Sequence, residues 1–420
     1  MNAAVTVQTD GGADGATAPS AHAPRPRTPG TWTLRRRGLA TVCALELRQR
    51  VRSTRWRIAL LAWFLVVGLV TVLAFTASAA VLGDDRETGL HAVADGGTLS
   101  PGFERGPLIF GLVVFFVLLA GLLVAPTLSA GAVNGDRTSG TLAILQVTLL
   151  SPAEIVVGKL LAGWVAALAF LVAALPFVLV SVAAGGVGIG SLVTTLALLV
   201  VLLGVVCALG IGFSALVSRT TASALLTYLT VLGLVVGTVI VFGLTFPLVT
   251  QDDQVRVRDW SSVSSDAYPQ TDADGTTVWI DPETGDEVDE PSTSQKCAWS
   301  TETESRAHTE RTWWLLAPNP FVIVADAAPT SPSNVWFGTV DPLRAIRDGV
   351  REARSGPDDG HEECGPGAIV RADRSTPSSG AAVWPWGLAF DVLLGAGAVA
   401  LAVRRLRVPQ QNLPRGTRVA

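Results

Sequence analysis

Histidine and cysteine, the residues on which most metal sites and many nucleophilic enzymes depend, are scarce here: 420 residues hold four of each. His22, His91, His308 and His361 show no ligand spacing with one another or with the cysteines, and no Ser/His/Asp or Cys/His arrangement can be built on them. Zinc-type centres and triad hydrolysis are therefore not supported. An acidic run from Asp272, Asp274 and Gly275 to Glu290 is a poor calcium loop. Aligning Gly275 with the sixth loop position leaves Gln270 where the first acid ligand should stand, so the run reads as solvated surface. Charge is scarce as well, at 16% of residues, and lysine occurs only at 159 and 296. Amphipathic period-3.6 or period-2 segments, which a soluble chain needs because one face meets water, are missing. So are the short alternating segments of a membrane β-barrel.

What the chain has instead is six long apolar stretches: Ile58–Leu82, Pro107–Val133, Leu160–Gly185, Ile189–Val217, Ala222–Val249 and Trp384–Val403. The first five contain no acid and no base. About 20 apolar residues cross the hydrocarbon core as a helix, and lipid forces backbone groups to pair within the segment. The expected fold is an all-α polytopic membrane protein with six transmembrane helices. Residues 1–34 lack the apolar core of a cleaved signal and read as a disordered cytosolic tail. Residues 35–57 read as a basic cytosolic helix, 58–249 as helices 1–5, 250–383 as an extracellular lobe, 384–403 as helix 6 and 404–420 as a basic cytosolic tail.

Arginine placement sets the orientation. Arg35, Arg36, Arg37, Arg48, Arg50, Arg52, Arg55 and Arg57 precede the first span, and Arg404, Arg405 and Arg407 follow the last. Both termini are expected in the cytosol of a cell whose plasma membrane the chain crosses. The loop after span one and the long segment 250–383 are acidic, in agreement. Because the arginines flank spans, they suit anionic lipid headgroups better than nucleic acid.

Segment 250–383 is too long for a connector and is expected to be a mixed α/β lobe between helices 5 and 6. Thr276–Val288 reads as a β-hairpin turning at Asp281-Pro282-Glu283-Thr284-Gly285, and Asp341–Arg354 as a surface helix with Leu343, Ile346 and Val350 on one face. Trp313–Ala325, apolar but broken by Pro318 and Pro320, reads as a short re-entrant or interfacial piece on the outer leaflet. Ser261–Asp274 and Ser355–Gly380 read as flexible. Cys297 and Cys364 share the lobe, where a disulfide can persist; pairing is left open. Cys43 and Cys207 are expected as free thiols.

Between spans two and three lies the loop 134–159. Thr141–Leu150 is expected to be an apolar helix stopped near Ser151-Pro152, and Ser151 to cap a second helix with Pro152 at its first position and Glu154 at its third. Leu142, Leu145 and Leu149 fall at helical spacing, as on a docking surface. This tract resembles the signature loop of ABC-2-type permeases, the membrane halves of ATP-driven exporters. It matches at Arg137, Gly140, Thr141, Leu142, Leu145, Thr148, Ser151, Glu154, Ile155, Gly158 and Lys159, and departs at Ala143 (commonly Glu) and Leu149 (commonly Pro). The resemblance implies a cytosolic coupling helix, Gly140 to Leu150 flanked by Arg137 and Glu154, seated in a groove of a separate ATPase subunit. It also implies a second permease copy or sister permease, and ATP and magnesium bound by the partner rather than by this chain. Gly158-Lys159 is no phosphate loop, since Leu160 follows and the earlier glycine is missing. The chain itself is expected to be neither an enzyme nor a cofactor binder.

Two signals remain. Asp391 is the single acid within a span and should face the bundle or a wet vestibule, as a structural hydrogen-bonding group or as a pathway residue. On the second option an ion-coupled secondary transporter is an alternative reading, and a membrane-anchored receptor is another. Gly233 and Gly237 form a GxxxG pair in span five, which marks either a helix contact or chance in a glycine-rich chain.

Overall fold

The computed structural model of the chain describes residues 30–83, 105–138, 150–185, 187–261, 268–271, 277–280, 287–288, 296–328, 342–357, 360–362 and 381–406. Six helices within it are long and apolar enough to cross a membrane. A basic helix α1 (Arg36–Arg52) precedes them, and the break at Ser53 leads into α2 (Thr54–Gly83), the first span. The second span is α3 (Arg105–Ser129), which stops at Ala130-Gly131 and resumes as α4 (Ala132–Thr138). The apolar stretch Pro107–Val133 therefore covers α3, the break and the first residues of α4. The third span α5 (Pro152–Ala183) starts eight residues earlier than its apolar stretch, and the fourth is α6 (Ile189–Leu216). The fifth is α7 (Thr220–Leu232), a π-helical turn Gly233–Gly237, and α8 (Thr238–Val249).

The core lies where spans two, three and four meet. Ile109, Val113, Val114 and Leu118 of α3 are buried against Phe170, Leu171 and Ala174 of α5 and Leu198, Leu199 and Leu202 of α6. Two tryptophans there direct their indole N–H at backbone carbonyls: Trp63 donates to Phe170 O and Trp164 to Val200 O, each at 2.8 Å. A buried indole without such an acceptor would be costly in an apolar medium. Spans one and five lie at the margin, with Leu61, Leu65, Leu69, Leu225, Leu229 and Leu244 exposed.

The segment after span five opens with β1 (Thr250–Ser261), continuous with α8. It pairs antiparallel with β5 (Lys296–Ala307) from Thr250↔Ala307 to Ser261↔Lys296. At about 3.4 Å per residue this ribbon is about 40 Å long, and the sequence reading missed it. Its polar first half, Gln251-Asp252-Asp253-Gln254 opposite Thr303-Glu304-Ser305-Arg306, carries no apolar residue, and the buried face comes down to Val255 and Val257, too short an alternation to announce a twelve-residue strand. A second sheet orders β2 (Tyr268–Thr271), β3 (Thr277–Ile280) and β4 (Glu287–Val288), and β6 (Gly360–Glu362) joins β1 in parallel. The β3–β4 pairing, Trp279↔Val288 and Ile280↔Glu287, is the expected hairpin. Tyr268–Thr271 and Gly360–Glu362 are strands inside stretches expected to be flexible, because neighbouring strands supply backbone partners that composition does not reveal.

The proline-broken apolar piece becomes α9 (Pro320–Ala327), capped by Asn319, whose side chain accepts from Phe321 N at 2.9 Å. It does not lie on a surface: Phe321 to Asp326 are all buried, and Phe115 of span two packs on Phe321 at 4.6 Å. The surface helix is α10 (Pro342–Ser355), with Leu343 and Val350 buried. The last span is α11 (Trp384–Arg405). Gly387 lets it lie against α9 and the turn before it, since a Cβ there would fall 1.8 Å from the Ala317 carbonyl oxygen and 2.9 Å from the Ile323 side chain.

Candidate functional site

Span three begins on a complete capping box. Ser151 Oγ accepts from Glu154 N at 3.1 Å, and a Glu154 carboxylate oxygen accepts from Ser151 N at 2.9 Å. The other carboxylate oxygen accepts from Arg35 N at 2.7 Å, which fastens the chain just before α1. Glu154 is 1% exposed. Two further bonds tie the same approach: Ser151 Oγ donates to Thr33 O, and Ala153 N donates to Thr31 O at 3.2 Å.

From that anchor α1 runs along the first turns of α5. Gly158 makes the approach possible, because a Cβ there would meet the Val42 side chain at 2.8 Å. The next residue, Lys159, is 2% exposed and its ammonium pairs with Glu46 of α1 and with Asp136 Oδ2 of α4, the latter at 2.7 Å. One buried cation thus joins three elements: α1, the end of span two and the start of span three. Near it, burial and the Glu46 carboxylate push the Cys43 thiol pKa up, so Cys43 stays protonated at neutral pH.

Asp136 and Glu154 bracket residues 139–149. Arg137 is exposed beside Asp136 on α4, while α4 is held by Ser214 Oγ of span four, which accepts from Val133 N and Asn134 N at 3.1 Å each. Gly140, Thr141, Leu142, Leu145 and Leu149, expected as the docking helix, lie outside the described residues. Glu154, expected as a flank of that helix, is turned inward, each carboxylate oxygen accepting one backbone N–H. Glu46 and the Lys159 bridge escaped sequence reasoning. The one available signal was that Lys159, a rare lysine, stands at the mouth of an apolar stretch.

At the opposite end, Asp326 of α9 is 2% exposed. Its Oδ1 accepts from Arg351 Nε of α10 at 2.6 Å, and its Oδ2 accepts from Val383 N and Trp384 N at 2.6 and 2.8 Å. Asn319 Nδ2 donates to Val235 O at 2.8 Å and to Thr238 Oγ1 at 3.1 Å. A π-turn misaligns the helical ladder, and here a side chain from α9 bonds a carbonyl within it. Gly233 and Gly237, the GxxxG pair, fall in this turn and have open space where a Cβ would stand.

Asp391 lies on the α11 face that carries Gly387 and Gly395, and a Cβ at Gly395 would lie 3.5 Å from Val205 of span four. Asp391 is 1% exposed, and its Oδ1 has no hydrogen-bond partner among the described residues. Cys297 stands opposite Trp260 in the ribbon, and Cys364 lies outside the described residues.

A bundle of six apolar helices, with polar clamps confined to its two ends, defines a multi-pass membrane protein. The family described as ABC-2 family transporter protein matches residues 40–262, more than half of the chain, and the chain belongs to that family. A search of curated proteins gives no match. Membership makes the chain a membrane component of an ABC transporter, in a family whose ATP hydrolysis is carried by a separate subunit.

Proposed function

We propose that this chain is the permease subunit of an ATP-driven exporter, and that residues 139–149 receive the mechanical input of a separate ATPase. The observation that carries the reading is the frame on either side of them. Asp136 and Glu154 are both held in buried or half-buried polar networks that lead directly into spans two and three. A force applied to a segment so framed moves helix ends rather than a slack loop. The arginines of α1 and those at Arg404 and Arg405 support a cytosolic placement of this end, with the lobe outside. The exposed apolar faces of spans one and five, with the open turn Gly233–Gly237, suit a second permease copy around a shared pathway.

The test is purification of the chain together with its ATPase. Leu142→Asp or Leu145→Asp is expected to abolish co-purification, or to reduce transport-linked ATP turnover at least tenfold, while span assembly persists. Wild-type binding and turnover in both variants would remove residues 139–149 from the coupling role. Ion-driven transport by the chain alone in proteoliposomes, lost in Asp391→Asn, would favour the secondary-transporter reading, for which the unpartnered Asp391 oxygen is the motivating observation.

A further inference from the structure

Where α1 turns into span one, a cleft of about 290 Å³ opens between α1, the first turns of α2 and the α3–α4 break. Glu46, Gln49 and Arg50 line it from α1, Trp56 from span one, and Leu128, Gly131 and Asp136 from span two. Arg50 reaches across it. Its Nη2 donates to Leu128 O at 2.9 Å, a last-turn carbonyl left over where α3 stops, and its buried Nη1 has no partner among the described residues. An unpartnered guanidinium N–H of this kind is a strong donor awaiting an acceptor.

The surroundings say which acceptor. The cleft lies at the start of span one and the end of span two, where flanking arginines suit a headgroup region. The outer face of α1 and its approach exposes Trp32, Leu34, Leu45 and Val51 among arginines 48 and 52, as a helix lying in the membrane interface does. Trp56, at the cleft wall, is fixed edge-on to Phe170 with ring centroids 5.1 Å apart. Charge in the cluster balances: Arg50 and Lys159 stand against Glu46 and Asp136, whose side chains keep 22% and 23% of their surface exposed. A ligand carrying both a phosphate and an ammonium group leaves that balance intact, whereas a purely anionic one adds an uncompensated charge.

We propose that this cleft binds the headgroup of an amine-bearing zwitterionic phospholipid, of the phosphatidylethanolamine type. Arg50 Nη1 donates to the phosphodiester, and the primary ammonium donates toward the Glu46 and Asp136 carboxylates. A volume near the lower bound of small-ligand sites, roughly 300 Å³, accommodates a headgroup while the acyl chains stay in the bilayer beside span one. The proposal depends on the membrane reading and is independent of ATPase coupling.

Native mass spectrometry of the full chain in detergent, titrated with phosphatidylethanolamine, tests it. One saturable site is expected, weakened about tenfold in Arg50→Gln and unchanged in Arg55→Gln, an exposed arginine outside the cleft. Because Arg50 also holds the end of α3, a second variant leaves it in place. Gly131→Leu adds a side chain where no atom lies within 4 Å of the new Cβ, and it is expected to weaken binding by a similar factor. Equal binding in the wild type and both cleft variants overturns the site. Tighter binding of phosphatidylglycerol, or equal binding of phosphatidylcholine, overturns the amine assignment. Competition by free phosphoethanolamine at the lipid's own concentration overturns the lipid as its source.

Discussion

At the basic end of the bundle, Glu154 accepts from the backbone N–H of Ser151 and of Arg35; at the lobe end, Asp326 accepts from the backbone N–H of Val383 and of Trp384. Each is a buried carboxylate at the first turn of a span, where unpaired N–H groups and the helix dipole favour negative charge. They differ in where the carboxylate comes from. Glu154 is three residues beyond its cap residue, inside the helix it caps. Asp326 belongs to another helix 57 residues earlier in the chain and also carries Arg351. The local version stabilises one helix start. The remote version makes the start of span six conditional on the docking of α9 and α10, so movement of the lobe-end helices and of span six must occur together.

The comparison breaks most visibly at Asp326. Asp326→Ala leaves Arg351 half-buried without its counter-ion and two N–H groups unsatisfied, and should cost about 3–5 kcal/mol, the range for breaking a buried pair from one side. Unfolding equilibria in mixed micelles would measure it, with protease cleavage between α9 and span six as the local readout. Asp326→Asn keeps acceptors but no charge and should fall between wild type and alanine. If Asp326→Ala unfolds with wild-type stability, the remote clamp is not what holds span six.

Lys159 comes next. Lys159→Met removes the cation from between Glu46 and Asp136, which then face each other as like charges. Because both acids retain some exposure, solvent offsets part of the penalty, and about 2 kcal/mol is expected. The informative readout is functional: the variant should lose coupled ATP turnover more than it loses stability, since α1, α4 and α5 no longer share an anchor. Adding Glu46→Gln should recover stability by relieving repulsion without restoring the three-way bridge. Recovery of both would reduce Lys159 to a stability role.

How much of this could be read from the chain alone follows the same division. The six spans are composition and length, and they were legible. So was the Ser151-Pro152-Ala153-Glu154 cap, because its partners are three residues apart and the geometry is set by the helix itself. The helix Pro342–Ser355 announced its buried face through Leu343 and Val350. What escaped depends on contacts between distant segments. The β1–β5 ribbon is held by backbone pairing along twelve residues, with only Val255 and Val257 alternating to signal it. Asp326, Asn319 and Glu46 carried no signal of their own, because each takes its role from a partner far along the chain. Glu154 was legible as the third residue of that cap, but the Arg35 N–H that its second carboxylate oxygen accepts was not.

Ser151→Ala gives the smallest effect and the sharpest test of the local version. The substitution removes the acceptor for Glu154 N and the donor to Thr33 O, but leaves Glu154 bonded to the N–H groups of residue 151 and Arg35. An N-cap serine replaced by alanine costs about 1 kcal/mol, so the loss should be well below that of Asp326→Ala. Its location should also differ. Hydrogen exchange should rise at the amides of Ala153 and Glu154 and in residues 31–35, with span three and the lobe unchanged. Exchange that spreads through span six as well would mean that the two ends are energetically connected, and that the local cap is no more self-contained than the remote one.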